Sequence, residues 1–276
     1  MQRPFRQVDV FSPEPYLGNP VAVVLDADGL SGDQMQCVAQ WTNLSETTFV
    51  LPADAPGADY RVRIFTPSME LPFAGHPTLG TCHAWLEAGH TPGRPGRVVQ
   101  QCGAGLVQVR HGADGLGFAA PPLVKSGPVS EQEMDRIAAQ MRIDRSEIVA
   151  AHWADNGPGW VAVLLASADA VLAVRPGPPD FDLGVAGPYP PGSELAYEVR
   201  AFFPVGGATV EDPVTGSFNA SLAQWLQASG RATLPYVAGQ GTVLGRRGRV
   251  HVSADDEGTI WVAGATATRI RGEIDL

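Results

Sequence analysis

The chain carries one construction twice, and that constrains its fold more than any bulk property. Tyr60-Arg61-Val62-Arg63-Ile64-Phe65-Thr66-Pro67 is answered by Tyr197-Glu198-Val199-Arg200-Ala201-Phe202-Phe203-Pro204. His76-Pro77-Thr78-Leu79-Gly80-Thr81 aligns with Asp212-Pro213-Val214-Thr215-Gly216-Ser217. Gly103-Ala104-Gly105 aligns with Gly239-Gln240-Gly241, and Val21-Ala22-Val23-Val24-Leu25 with Val161-Ala162-Val163-Leu164-Leu165. The offset drifts only between 136 and 140 residues. Four matches in one order imply two copies of one fold unit facing each other. In this alignment His76 stands where Asp212 stands in the other copy.

A chain of 276 residues accommodates either one large domain or two of ordinary size, and the repeat selects two. The expected lobes are 1–120 and 129–276, joined by a proline-rich linker over 120–129, with the terminal strand a candidate to cross into the first lobe. The net charge of -10 argues against nucleic acid, which requires a basic surface to neutralise phosphates. Met1-Gln2-Arg3-Pro4-Phe5-Arg6 lacks the apolar segment of a signal peptide. The longest apolar run, 160–166, is too short to span a bilayer. Three cysteines, Cys37, Cys82 and Cys102, form no CxxC pair and read as reduced thiols of a cytoplasmic protein.

Lys125 is the only lysine, and it lies in the linker stretch, a poor place for Schiff-base chemistry, which needs a desolvated and positioned amine. A phosphate-binding Gly-Lys-Ser/Thr loop is absent. His76, His83 and His90 are seven apart, which on a helix separates neighbours by about 10 Å, too far to chelate one ion. No metal or cofactor is expected.

Locally, strands are expected from Phe5, Pro20, Glu46 and Tyr60. Ser31 with Gln34 makes a capping box that opens a helix with Met35, Val38 and Trp41 toward the core. Ser130 with Glu133 makes a second one. A helix is expected over 77–88 and another from Gly216, each announced by a residue before proline. Many short strands with one long helix per half imply an α+β protein of two pseudo-symmetric lobes, each a mixed sheet curled around a central helix.

Helix N-termini attract anions, and two related by pseudo-symmetry would bind a small carboxylate. Asp212 alone reads as an N-cap. Together with His76, Gly75 and Ser217 it reads as part of a site. Glu46, in Asn43-Leu44-Ser45-Glu46-Thr47-Thr48-Phe49, is by itself an ordinary solvated acid at a strand start. Facing a dry cleft it would shuttle protons.

With these segments the chain resembles the PhzF family of phenazine-biosynthesis-like isomerases, of the diaminopimelate-epimerase-like fold. The resemblance rests on Val8-Asp9-Val10-Phe11, Gly18-Asn19-Pro20-Val21-Ala22-Val23, Leu44-Ser45-Glu46-Thr47-Thr48-Phe49-Val50, Phe73-Ala74-Gly75-His76-Pro77-Thr78-Leu79-Gly80, Glu211-Asp212-Pro213-Val214-Thr215-Gly216-Ser217 and Gln240-Gly241. It implies an active site between the lobes, a homodimer, and proton transfer without metal or cofactor. It implies Glu46 as acid/base, His76 and Asp212 as catalytic polar partners, Gly75, Gly216 and Ser217 as donors to the substrate carboxylate, and Ser45 beside the glutamate. The family often has Ala-His after the serine, whereas this chain has Phe218-Asn219. Epimerases of the wider fold use one cysteine per half, and Cys82 has no partner cysteine at Phe218. The expected activity is an isomerase moving a proton within a small carboxylate-bearing metabolite. The alternatives are a hydrolase or lyase in which Glu46 activates water, and a non-catalytic metabolite-binding protein.

Overall fold

The structure is a computed structural model that describes all 276 residues. It divides into two units, Met1–Ala119 with Ala263–Leu276, and Ala120–Val262. No helix is long and apolar enough to cross a membrane.

The first unit runs β1 (Gln2–Val10), β2 (Asn19–Val24), α1 (Gly32–Thr42), β3 (Glu46–Leu51), β4 (Tyr60–Phe65), β5 (Glu70–Leu71), α2 (Gly75–Glu87), β6 (Arg97–Cys102), β7 (Gly105–Gly112) and β8 (Gly115–Ala119). The C-terminal strand Thr266–Asp275 pairs antiparallel with β1. The second unit runs β9 (Lys125–Pro128), α3 (Glu131–Met141), β10 (Ile148–Asp155), β11 (Trp160–Leu165), α4 (Ala168–Ala173), β12 (Asp182–Pro188), β13 (Tyr197–Val205), β14 (Ala208–Asp212), α5 (Gly216–Ala228), β15 (Tyr236–Gln240) and β16 (Gly248–Ala254).

Strand pairing repeats between the units. In β1-β2-β3-β4-β6-β7 the successive pairs are antiparallel, parallel, antiparallel, parallel and antiparallel. The series β10-β11-β12-β13-β15-β16 follows the same order. β5 and β14 form hairpins on β4 and β13 at matching places. Among the strands that pair parallel, β2 and β11 are the near-continuous apolar runs Asn-Pro-Val-Ala-Val-Val and Trp-Val-Ala-Val-Leu-Leu, as covering on both faces requires.

Each sheet wraps a helix. α2 packs on β1, β2, β3, β6, β8 and the C-terminal strand, and α5 on β10, β11 and β16. Both helices are buried around nearly their whole circumference, so neither has the one-sided apolar stripe of a surface helix. Close approach is built in at two glycines. A Cβ on Gly80 of α2 would stand 2.3 Å from Val21 Cγ1. A Cβ on Gly184 of β12 would stand 1.9 Å from the Phe218 ring of α5.

Three local expectations change. Trp41 is 82 % exposed, and α1 buries Met35, Val38 and Ala39 instead. Two successive steps of three residues drift about 120° around a helix, which carries Trp41 off the buried face. Residues 125–128 are not bare linker, because they form β9 against β10. The helices expected from the two capping boxes are present, α1 and α3 being eleven residues each. Finally, α2 begins at Gly75, which puts Pro77 third, whereas α5 begins at Gly216, after Pro213. Proline loses no needed donor in a first turn and is equally at home in a connection, so it marks the region and not the residue.

Candidate active site

In the first unit, Glu46 opens β3 and His76 is the second residue of α2. Oε2 of Glu46 lies 3.4 Å from Nε2 of His76, with the two side chains 14 % and 4 % exposed. The other ring nitrogen, Nδ1, lies 3.3 Å from Nδ2 of Asn19, the first residue of β2. Burial drives the His76 pKa down to about 3, against the opposing pull of a hydrogen bond to the Pro20 backbone. The imidazole is therefore neutral at physiological pH, and it stands beside the glutamate as a neutral polar neighbour and not as a cation. Ser45 precedes the glutamate at the strand start and is half-buried.

In the second unit, Asp212 ends β14 and is 8 % exposed. It is not the cap of α5; that residue is Thr215. Thr215 Oγ1 donates to Asp212 Oδ2 at 2.6 Å. Gln240, at the end of β15, is fully buried and bonds Thr215, Asn219 and the Asp212 carbonyl. Ser217 is the second residue of α5. Its Oγ accepts from Trp160 Nε1 at 3.1 Å and its carbonyl accepts from Asn156 Nδ2 at 2.8 Å. Because an indole nitrogen only donates, the Ser217 hydroxyl is left to donate its own proton.

The helix starts share a chemical property. Surface helices α1, α3 and α4 are each closed by a serine side chain, Ser31, Ser130 and Ser167. α2 and α5 have no side-chain cap and no acid in their first turns. First-turn amides left without a side-chain acceptor, at the positive end of the helix dipole, suit an anion. Gly75 and Gly216 stand at these two starts.

The structure also revises the internal register. α2 and α5 are both thirteen residues and begin 141 residues apart, at Gly75 and Gly216. His76 therefore matches Ser217, not Asp212. Asn19 and Trp160 open equivalent strands at the same 141-residue separation, and each bonds the residue at the second helix position. The sequence alignment followed the shared proline and the Gly-Thr/Ser pair, which sit at different depths in the two helices.

Asn19, Trp160, Thr215 and Gln240 were not among the expected site residues. Polar residues inside motifs look the same in sequence whether they bond a neighbour or water; the equal separation of Asn19–Trp160 and His76–Ser217 is the one signal that links them. Phe218 is fully buried between Gly184 and Trp160, its ring centroid 5.5 Å from that of Trp160. It fills the core. Asn219 is also fully buried, its Nδ2 donating to the Thr215 carbonyl and to Gln240. Burial pushes the Cys82 thiol up to about 12, which makes it unfit as a proton carrier near neutral pH. No group of three His, Cys, Asp or Glu side chains converges as a metal ligand set. Lys125 lies over the Trp153 ring, 3.0 Å from its centroid.

Residues 8–273 match the PhzC-PhzF family model, described as phenazine biosynthesis-like protein. The chain is 34 % identical to antisense-enhancing sequence 1 of Schizosaccharomyces pombe, over 98 % of this chain and 97 % of that protein. It is 33 % identical to a trans-2,3-dihydro-3-hydroxyanthranilate isomerase of Pseudomonas fluorescens, over 98 % of each. A PhzF-family phenazine biosynthesis protein of Bacillus anthracis has the same fold, with a TM-score of 0.84 over 100 % of both chains at 22 % identity. A family match across nearly the whole chain, with end-to-end relatives above 30 % identity, places this chain in the PhzC-PhzF family of phenazine biosynthesis-like proteins.

Proposed function

We propose that this protein is an isomerase that moves a proton between two positions of a small carboxylate-bearing metabolite, with Glu46 as the general acid/base. The observation that carries the proposal is the largely buried Glu46 carboxylate beside a neutral His76 at the uncapped start of α2. A general base needs a position from which it reaches carbon-bound hydrogen and a dry environment that keeps it from bulk water. Glu46 removes the proton and returns it at a second carbon on the same face. His76, holding one exchangeable proton, supports whichever protonation state the glutamate adopts.

The candidate donors to the substrate carboxylate are the first-turn amides at Gly75, with Ser45 beside the base, and, in the second unit, those at Gly216 with the Ser217 hydroxyl. Preorganised donors of this kind stabilise negative charge that spreads into the carboxylate as the proton leaves. Asp212 accepts a hydrogen bond from a hydroxyl or amine on the substrate. In this reading the working form is a cytoplasmic homodimer, and no metal or cofactor takes part. Isomerase relatives support a small-molecule substrate.

The test uses trans-2,3-dihydro-3-hydroxyanthranilate, the compound in the name of the Pseudomonas fluorescens relative. Incubation in deuterium oxide followed by mass spectrometry and NMR is expected to show isomerisation with deuterium gained at carbon, lost in Glu46→Gln. Incorporation of oxygen from labelled water would instead establish hydrolysis or hydration. Failure of this compound while related cyclic amino-hydroxy acids exchange would move the substrate and keep the chemistry.

A further inference from the structure

We infer that Gln240, through Thr215, is a positioning residue that fixes the hydrogen-bond polarity of Asp212; the inference rests on the proposed role of Asp212 at the substrate. Gln240 lies fully buried at the end of β15 and bonds four groups through one side-chain amide. Its Oε1 accepts from the Thr215 backbone N–H at 3.0 Å and from Asn219 Nδ2 at 2.9 Å. Its Nε2 donates to Thr215 Oγ1 at 2.8 Å and to the Asp212 carbonyl at 3.3 Å.

Two backbone groups determine which way this amide points. The Thr215 N–H can only donate, so the atom facing it is the oxygen. The Asp212 carbonyl can only accept, so the atom facing it is the nitrogen. The opposite orientation would set N–H against N–H and oxygen against oxygen. Asn219 is oriented in turn, because its Nδ2 also meets the Thr215 carbonyl at 2.9 Å.

The consequence passes to Thr215. Its hydroxyl has one hydrogen and already accepts from Gln240, a group with no lone pair to receive that hydrogen. The hydrogen therefore goes to Asp212 Oδ2, 2.6 Å away. The chain of donors runs in one direction, Gln240 Nε2 to Thr215 Oγ1 to Asp212 Oδ2. Oδ2 is held as an acceptor, which favours Oδ1 as the seat of a proton on Asp212. A side chain at the far end of another strand thus biases which carboxylate oxygen exchanges a proton with substrate, and in which rotamer it is presented. Neutral side-chain bonds in a buried network reinforce one another, so reversing one member is felt at the end of the chain.

Three variants test this. Thr215→Val keeps the shape and removes the hydroxyl. Thr215→Ser keeps the hydroxyl. Gln240→Glu is nearly isosteric and turns the donor facing Thr215 into an acceptor, so that the threonine hydrogen is drawn away from Asp212. With trans-2,3-dihydro-3-hydroxyanthranilate as probe, kcat is expected to fall on the order of 10- to 100-fold in Thr215→Val, the value of a hydrogen bond to a charged group. KM should change far less, and Thr215→Ser should restore most of the rate. In parallel, the side-chain carboxyl carbon of Asp212, labelled with carbon-13, reports the bond directly by NMR. Its resonance should move in Thr215→Val and Gln240→Glu and stay near the wild-type position in Thr215→Ser. Wild-type kcat in a folded Thr215→Val protein, or an Asp212 resonance indifferent to both substitutions, would overturn the inference. If Gln240→Glu fails to fold, the two threonine variants decide. If the wild-type protein does not convert the probe, the substrate reading fails, and the resonance alone decides whether the relay exists.

Discussion

Oε2 of Glu46 and Nε2 of His76 stand 3.4 Å apart, brought together by the start of a strand and the first turn of a helix that lie thirty residues apart in the chain. The pair sets an acid beside a ring that burial keeps neutral, so no fixed positive charge lies next to the carboxylate.

Glu46→Gln keeps the size and hydrogen-bonding shape of the side chain. The variant should fold as wild type by circular dichroism and lose about 100- to 10,000-fold in turnover, the range of general acid–base catalysis. Undiminished turnover in a folded variant would take Glu46 out of the mechanism.

The His76 and Asp182 side chains give the protein opposed pH dependences. His76 has a folded pKa of about 3, below its ordinary value of 6.5, so the unfolded chain binds the extra proton between these limits. Its contribution to stability is intact above about pH 6.5 and erodes as the pH falls toward 3, by at most about 1.4 kcal/mol per pH unit. Asp182 is raised to about 6 by burial and by the nearby Asp155. The folded state then binds the extra proton, and stability is lost as pH rises from about 3.8 to about 6. Asp182→Asn should stabilise the protein at pH 7 by roughly 1 kcal/mol after allowance for solvent screening, and hardly at all at pH 3.5. Urea titrations at both pH values check this; equal effects at the two would refute the assignment to ionisation.

Trp160→Phe retains an aromatic ring against Phe218 and removes the N–H that Ser217 accepts. Loss of one such bond should cost about 0.5 to 1.5 kcal/mol in stability. The freed serine can reorient, so binding of the test carboxylate should weaken several-fold. Calorimetry showing unchanged affinity would mean that Trp160 does not govern Ser217.

Asp212→Asn should tighten binding of simple anions such as sulfate while impairing turnover, because a carboxylate repels the anion that the helix starts attract. The asparagine oxygen can still accept from Thr215, so folding should survive. A hundredfold excess of anion over its dissociation constant raises stability by about 2.7 kcal/mol, which a thermal scan resolves. No anion-dependent shift in either protein would remove the helix starts as an anion site.

Gly184→Ala tests the accommodation of Phe218. The added Cβ would overlap the ring and should destabilise by about 1 to 3 kcal/mol. Substituting Phe218→Leu in the same chain should recover part of the loss. Additive effects in the double variant would show that the two positions are not coupled.

The sequence by itself determined the duplication, the expected α+β architecture, both capping boxes, and the starts of strands β3 and β4. These are local or periodic signals: a capping box spans four residues, and alternation along a strand needs no knowledge of its neighbours. The motifs also named Glu46 and His76, which the fold brings together, and Asp212 and Ser217, whose environments it supplies. Tertiary structure alone decided which positions of the two copies correspond. Proline and glycine mark where the chain turns but not where a helix begins, so similarity paired His76 with Asp212, whereas the thirteen-residue helices pair it with Ser217. Pairing also turned residues 125–128 into a strand, and helix rotation left Trp41 in solvent. The Gln240–Thr215–Asp212 relay and the Trp160–Ser217 bond lay beyond reading in the same way. Hydrogen-bond direction depends on which donors and acceptors converge from distant strands, and a linear sequence carries the groups without their partners.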